Sequence, residues 1–206
     1  MEVADKRIVY IDTERAGRSI KSPIIELSAV AVTSGLYREL SRIEMKIEFN
    51  VKETNVKFLG LSKFRPSVWE KYAIPEKEAV KKLAHFLRAN ATDERNSKDG
   101  TPYKLATLCG HNVEHDASTL RRWFSEHGEF FPATRSPLDT IQLTRWFFET
   151  NPALVPPPDF KLTTLAEYFS LRTTPSHEAL SDALCCVELT RLIAQYTRVG
   201  IHNAAY

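Results

Sequence analysis

Asp12, Glu14, Asp116, His177 and Asp182 are the residues whose types and spacing could do chemistry. Carboxylates gathered in one place are oxygen donors for a divalent cation. An imidazole beside them is the side chain best suited to take a proton near neutral pH. Asp12 and Glu14 lie two apart at the end of an apolar, β-branched run, Ile8-Val9-Tyr10-Ile11, which reads as a buried central strand. Residues two apart on a strand project to the same face, so both carboxylates can reach one ion. The spacing alone carries little. Glu76 and Glu78 share it inside a helical pattern, and Asp12 would serve equally well as a strand-end residue opening a turn.

Gly110-His111-Asn112-Val113-Glu114-His115-Asp116 follows another apolar strand pattern over residues 105–109 and leads into a helical one over 117–127. Loops at strand ends are common places for functional groups. Asp116 would also serve as a first-turn acid favoured by the helix dipole, and His111 and His115 as ordinary loop residues. His177-Glu178-Ala179-Leu180-Ser181-Asp182 is sharper. Asp182 sits among Leu180, Ala183, Leu184 and Val187 in a helix that otherwise faces the core. A carboxylate buried there needs a partner, which could be Arg191, Lys161 or a metal ion. On one regular helix His177 and Asp182 would stand roughly 140° apart. They can share a site only if His177 lies before the helix or in its first turn, and Pro175-Ser176 are helix-start residues.

The elements that must position these groups follow from hydrophobic periodicity. Residues 24–32 form a second β-branched run, with Ala16-Gly17-Arg18-Ser19 as the turn between the first two strands. Ile43, Met45, Ile47 and Phe49 alternate with polar residues, which predicts a third strand with one wet face and an antiparallel meander. After Pro75, Ala79, Val80, Leu83, Ala84 and Leu87 recur at helical spacing. Residues 90–104 are polar, include Asp99-Gly100, and read as a loop. Pro137-Leu138 leads to Asp139, which suits a helix N-cap with Gln142 in the reciprocal position. Pro156-Pro157-Pro158 separates that helix from two more, near 163–169 and 178–196.

Gross properties narrow the class. The 206 residues suit one domain, and no apolar run is long enough to span a bilayer. The opening Met1-Glu2-Val3-Ala4-Asp5-Lys6 lacks the basic and apolar regions of a secretory signal, so an intracellular, cytoplasmic location is expected. The 3 cysteines, two of them adjacent, form neither a disulfide framework nor a zinc-binding spacing and read as buried reduced thiols. A net charge of +2 does not by itself define a nucleic-acid surface.

Taken together, Ile11-Asp12-Thr13-Glu14, Asn112 with Asp116, and His177 with Asp182 resemble the three exonuclease motifs of the DnaQ-like DEDD superfamily. The histidine five residues before the last aspartate resembles the DEDDh branch. The likeness extends over residues 8–193 and includes Ile24-Ile25-Glu26-Leu27 and Leu138-Asp139-Thr140. It implies an α/β, ribonuclease-H-like fold: a mixed five-stranded sheet, three antiparallel strands and then parallel ones, flanked by helices on both faces. It implies a 3′–5′ exonuclease releasing nucleoside 5′-monophosphates from the 3′ end of single-stranded DNA. The alternatives are an exoribonuclease resembling oligoribonuclease or RNase T, and a non-catalytic nucleic-acid-binding or proofreading-complex module.

The resemblance further implies that Asp12, Glu14, Asp116 and Asp182 hold two Mg²⁺ ions, with Mn²⁺ able to substitute, while His177 takes the proton from the attacking water. The physics agrees, since each close carboxylate pair costs about 1 kcal/mol in water and about 4 kcal/mol at a protein-like dielectric. Two divalent ions would remove that repulsion and clamp an in-line phosphoryl displacement. Thr13, Arg15, Ala16, Arg18, Asn112 and His115 are the expected substrate contacts. Many relatives carry Thr-Thr-Gly and an apolar wedge where this chain has Arg15-Ala16-Gly17-Arg18, which favours phosphate contact over base wedging. His115 stands where an aromatic residue is usual. Lys63, Arg65, Trp69, Arg121, Arg122 and Trp123 are further candidates to guide a strand, whereas Trp146 is expected in the core. A homodimer through the apolar C-terminal helix, or association with a polymerase or other nucleic-acid machine, is expected only by analogy.

Overall fold

The structure is a computed structural model that describes residues 6–51, 54, 59–60 and 63–204, with side chains through residue 197. The chain's opening, read above for a signal sequence, lies outside the described residues apart from Lys6. The main sheet has six strands in the order β4-β3-β2-β1-β7-β8. These are β1 (Arg7–Arg15), β2 (Ile24–Thr33), β3 (Glu39–Ile47), β4 (Ala73–Ile74), β7 (Thr107–Gly110) and β8 (Leu138–Asp139). The pairs β1–β2 and β2–β3 are antiparallel, as the meander required, while β1–β7, β7–β8 and β3–β4 are parallel. The sixth strand, beyond the five expected, is the two-residue β4, which pairs with Lys46 and Ile47. It is too short to leave a periodic signal.

The segment read as a polar loop is instead a separate antiparallel hairpin, β5 (Asp93–Asn96) with β6 (Pro102–Leu105), closed by a turn at Gly100 with φ +85°. Its residues are mostly exposed on both faces. With no core face there is no alternation to read, and cross-strand charge pairs such as Lys104–Glu94 take that role. A short helix, α1 (Pro66–Tyr72), also went unread; it begins on a proline, whose fixed φ suits the first helical position.

Period-two alternation assigns β1 to two cores. Val9 and Ile11 face α2 (Glu76–Ala89) and α3 (Glu114–Glu126), packing with Val80, Leu83, Leu87, Leu120 and Phe124. Ile8 and Tyr10 face the other side, where α4 (Thr140–Glu149), α5 (Leu162–Tyr168) and α6 (Ala179–Ala204) supply Phe147, Leu165, Ala183 and Leu189. Each such fully buried aliphatic side chain contributes roughly 1.5–3 kcal/mol. Asp12 and Glu14 continue the even set of β1, so strand geometry directs them to the α6 side. Helices therefore cover both faces, as expected, and no helix among the described residues is long and apolar enough to cross a membrane.

The tryptophans reverse one expectation. Trp146 is 67% exposed, whereas Trp69 and Trp123 are 7% and 2% exposed. The buried stripe of α4 is Thr140, Thr144, Phe147 and Phe148, which turns position 146 outward. All 3 cysteines are free and buried.

Candidate active site

The end of β1 is where the sequence motifs meet. Gly110 closes β7 with its backbone so near β1 that a Cβ there would stand 2.8 Å from the carbonyl oxygen of Ile11. That approach, which only glycine allows, brings the loop after β7 against Asp12. Asn112 then takes φ +54°, a left-handed turn that an asparagine tolerates, and α3 starts. Asp139 fixes this geometry. Its carboxylate accepts the amides of Asn112 at 3.3 Å and Val113 at 3.2 Å and also caps α4 through Ile141 at 2.8 Å. His111 Nδ1 lies 2.9 Å from the Thr140 hydroxyl, tying the same loop to the same turn.

Asp116, on the first turn of α3, accepts from the backbone amide of Thr13 at 3.1 Å and from the Thr13 hydroxyl. Thr13, expected to touch substrate, clasps this carboxylate with both its amide and its hydroxyl. On the opposite side, α6 carries Asp182, whose Oδ1 accepts the Ser176 amide at 2.9 Å. The alternative partner Lys161 is paired with Asp159 at 2.7 Å. His177 precedes the helix with φ +56°, the placement its spacing demanded. The loop leading to it is anchored by Glu188, which accepts the amides of Arg172 and Thr173 at 3.0 and 2.9 Å.

Glu14, His177 and Asp182 come together so that one potential ligand atom from each lies within 4.8 Å of the others. Asp12 and Asp116 stand close enough to interact electrostatically with this group. Burial, and then the negative charges of Asp116, Glu14 and Asp182, hold the Asp12 carboxyl well above the usual carboxylate range. Burial, with Asp182, Glu26 and Asp116, pushes Glu14 up to about 8, and Arg15 offsets only part of this. Burial also raises Asp116, while the Thr13 hydrogen bonds pull it back. Groups that repel one another this strongly lack positive charge, and a divalent cation coordinated by oxygen is the natural complement. A further sign is the Ser28 hydroxyl, fully buried and directly opposite Asp12 in the β1–β2 register. It has no hydrogen-bond partner among the described residues, so protein atoms alone do not complete the polar environment there.

The other expected contacts divide. Arg18, Asn112 and His115 are exposed, and Arg15 donates to the Ser19 carbonyl at 3.3 Å. Ala16 is 2% exposed and packs with Ile25, Leu59 and Trp69. Arg121 pairs with Glu114, Arg122 with Glu126, and Lys63 with Glu178. Arg65 lines a cleft of about 900 Å³ beside the site, together with Lys46, Tyr72, Glu178 and Ser181. Trp123 belongs to the core under α3 and not to a strand-binding surface.

Two contributors entered the sequence reading without a place at the site. Asp139 bridges two helices, although only its cap on α4 is local enough to read. Glu26 is 1% exposed and pairs with Lys46 at 2.7 Å, in a row Glu14–Glu26–Lys46 running across three strands. Its signals were a lone charge in the apolar run of β2 and its place in the Ile24-Ile25-Glu26-Leu27 stretch of the resemblance.

The fold is that of the DnaQ-like, ribonuclease-H-like exonucleases. Exonuclease I of E. coli in complex with a dT13 oligonucleotide matches with a TM-score of 0.73 and 13% identity, over 91% of this chain and 41% of that one. The zinc-ion-bound form of the exonuclease I complex with single-stranded DNA matches at 0.75, also with 13% identity, over 93% of this chain and 41% of that one. In sequence, the chain is 25% identical over 181 residues to the PolC-type DNA polymerase III of Pediococcus pentosaceus, covering 86% of this chain and 10% of the polymerase. The corresponding polymerase of Caldanaerobacter subterraneus subsp. tengcongensis is 26% identical over 103 residues, 50% of this chain and 7% of that one. The chain thus spans a small part of these relatives. No family model matches it.

Proposed function

We propose that the chain is one exonuclease domain that removes nucleotides from the 3′ end of single-stranded DNA with the help of divalent metal ions. The observation that carries this reading is the convergence of Glu14, His177 and Asp182 within 4.8 Å, beside Asp12 and a Thr13-clasped Asp116. Asp12, Glu14, Asp116 and Asp182 are the residues that would hold the ions, Mg²⁺ by preference for oxygen donors and Mn²⁺ as a substitute. When bound, the ions supply neutralisation of the scissile phosphate and a more acidic water.

The protein's own groups do the rest. His177, exposed and unburdened by the helix, accepts the proton of the attacking water. Attack at phosphorus breaks the bond to the 3′ oxygen of the preceding nucleotide and releases a nucleoside 5′-monophosphate. Thr13 keeps Asp116 turned toward the end of β1. Arg15 and Arg18, on the segment after β1, contact phosphates, and Asn112 and His115 border the terminal nucleotide. DNA as the substrate is supported by the oligonucleotide held in the exonuclease I structures and by the polymerases that share this sequence region.

The test is digestion of 5′-labelled single-stranded DNA and RNA of matched sequence in Mg²⁺, with EDTA and Asp12→Ala controls. A ladder shortening from the 3′ end, faster on DNA and absent in both controls, is expected. No cleavage of either strand in Mg²⁺ or Mn²⁺ would overturn the assignment.

A further inference from the structure

The candidate site is not chemically uniform. Asp12 and Asp116 offer oxygen alone, and Asp116 already accepts two hydrogen bonds from Thr13. Glu14, His177 and Asp182 offer two carboxylates and one imidazole nitrogen, with donor atoms already within 4.8 Å. Mg²⁺ seeks an octahedron of oxygens and keeps its waters, whereas Zn²⁺ accepts imidazole nitrogen with carboxylate oxygen in a four-coordinate shell. Taking the proposed exonuclease as its basis, we propose that Glu14, His177 and Asp182 form an inhibitory Zn²⁺ site in which His177 is a ligand and is withdrawn from proton transfer.

The geometry permits it. Donors around a tetrahedral Zn²⁺ at about 2.0–2.1 Å lie about 3.3 Å apart, so donors within 4.8 Å of one another must close by at most about 1.5 Å. His177 can supply that movement because it is exposed and precedes α6. Asp182 is held by the Ser176 amide on Oδ1, an outer contact that fixes the direction of its carboxylate. The fourth position remains for water. An imidazole whose lone pair is spent on zinc has none left for a proton, so the same residue serves catalysis or zinc but not both. Mg²⁺ would compete for Glu14 and Asp182 without involving the imidazole, and the ratio of the two metals would set activity.

The experiment is isothermal titration of Zn²⁺, and separately of Mg²⁺, into EDTA-stripped, dialysed wild-type protein and His177→Gln at pH 7.5. Co²⁺ absorption reports the ligand set, and thermal melting confirms that the variant is folded. Zn²⁺ affinity is expected to fall about tenfold or more in the variant, with Mg²⁺ affinity changed less than about twofold. The visible bands of bound Co²⁺ should change on loss of the nitrogen ligand. Equal Zn²⁺ affinity in the two folded proteins, or parallel losses for both metals, would overturn the zinc site. The exonuclease reading is judged separately by wild-type cleavage in Mg²⁺ alone, so either can fail while the other stands. Zn²⁺ added to wild-type protein at fixed Mg²⁺ should arrest cleavage at a concentration that rises with Mg²⁺, and cleavage unchanged under excess Zn²⁺ would overturn the inhibitory role.

Discussion

Carboxylates at the end of β1 and carboxylates a short distance away live under opposite rules. Asp139 receives three backbone amides, and Glu26, though buried, has the Lys46 ammonium at 2.7 Å. Burial raises the Glu26 carboxyl as well, but Lys46 offsets part of that rise, so both carboxylates find an answer within the fold and hold parts of it together. Asp12 and Glu14 instead face other carboxylates, and burial with that repulsion lifts both above the ordinary carboxylate range, while burial lifts Asp116 beside them. The same side-chain chemistry is structural where its charge is answered within the fold. It becomes a candidate for function where the answer must come from outside.

Removing a group should therefore have opposite signs in the two regions. The largest effect is expected for Glu14→Gln, with cleavage falling by about 10²–10³-fold while the metal-free protein becomes more stable. The sign follows from linkage. A carboxyl raised from 4.5 to about 8 binds more protons folded than unfolded, so metal-free stability falls as pH rises between those values. The gain from Glu14→Gln should be absent near pH 4.5 and largest above pH 8, at about 1–2 kcal/mol after allowance for solvent screening. Denaturant melts in EDTA at several pH values measure it, and a destabilised variant at pH 8 would erase the contrast. Mg²⁺ should raise the wild-type melting temperature more at pH 8 than at pH 5.

Lys46→Met comes next, on the compensated side. With side chains 18% and 2% exposed, loss of the cation leaves Glu26 buried alone, at a cost of about 3–5 kcal/mol. Adding Glu26→Gln should restore much of this, and a double-mutant cycle that shows simple additivity would dissolve the pair as a unit. Asp139→Ala removes a cap shared by two helix starts and should cost about 1–2 kcal/mol. Because those amides position Asp116, kcat should fall with it; unchanged kcat in a folded variant would separate the turn from the site. The smallest effect is for Arg18→Ala, which should weaken single-strand binding and reduce the slope of log affinity against log salt by about one. An unchanged slope would remove Arg18 from the phosphate path.

Much of this organisation could be read locally. The period-two face of β1 places Asp12 with Glu14, the spacing of Ala79, Val80, Leu83 and Leu87 gives α2, and the offset of His177 from Asp182 requires the histidine to precede α6. These succeed because helix and strand periods are properties of a short stretch of backbone. The β5–β6 hairpin and α1 failed the same test because their residues carry little or no repeating apolar face. Trp146 failed because composition says that tryptophan is apolar, while only the packed direction of α4 says which way it points.

The remaining features depend on residues far apart in the chain. That Glu14 faces Glu26, that Glu26 faces Lys46, and that Ser28 lies opposite Asp12 are matters of strand register. Register is set by the summed packing of two cores, and a shift by one residue would send each of these side chains to the other face. Residue types and local spacing picked out the candidate groups, and the resemblance of the three motifs to an exonuclease family supplied their expected metal-binding and proton-accepting roles. Their grouping, and which carboxylates were left for a cation to satisfy, followed from long-range pairing, because electrostatic compensation is decided by distance in space.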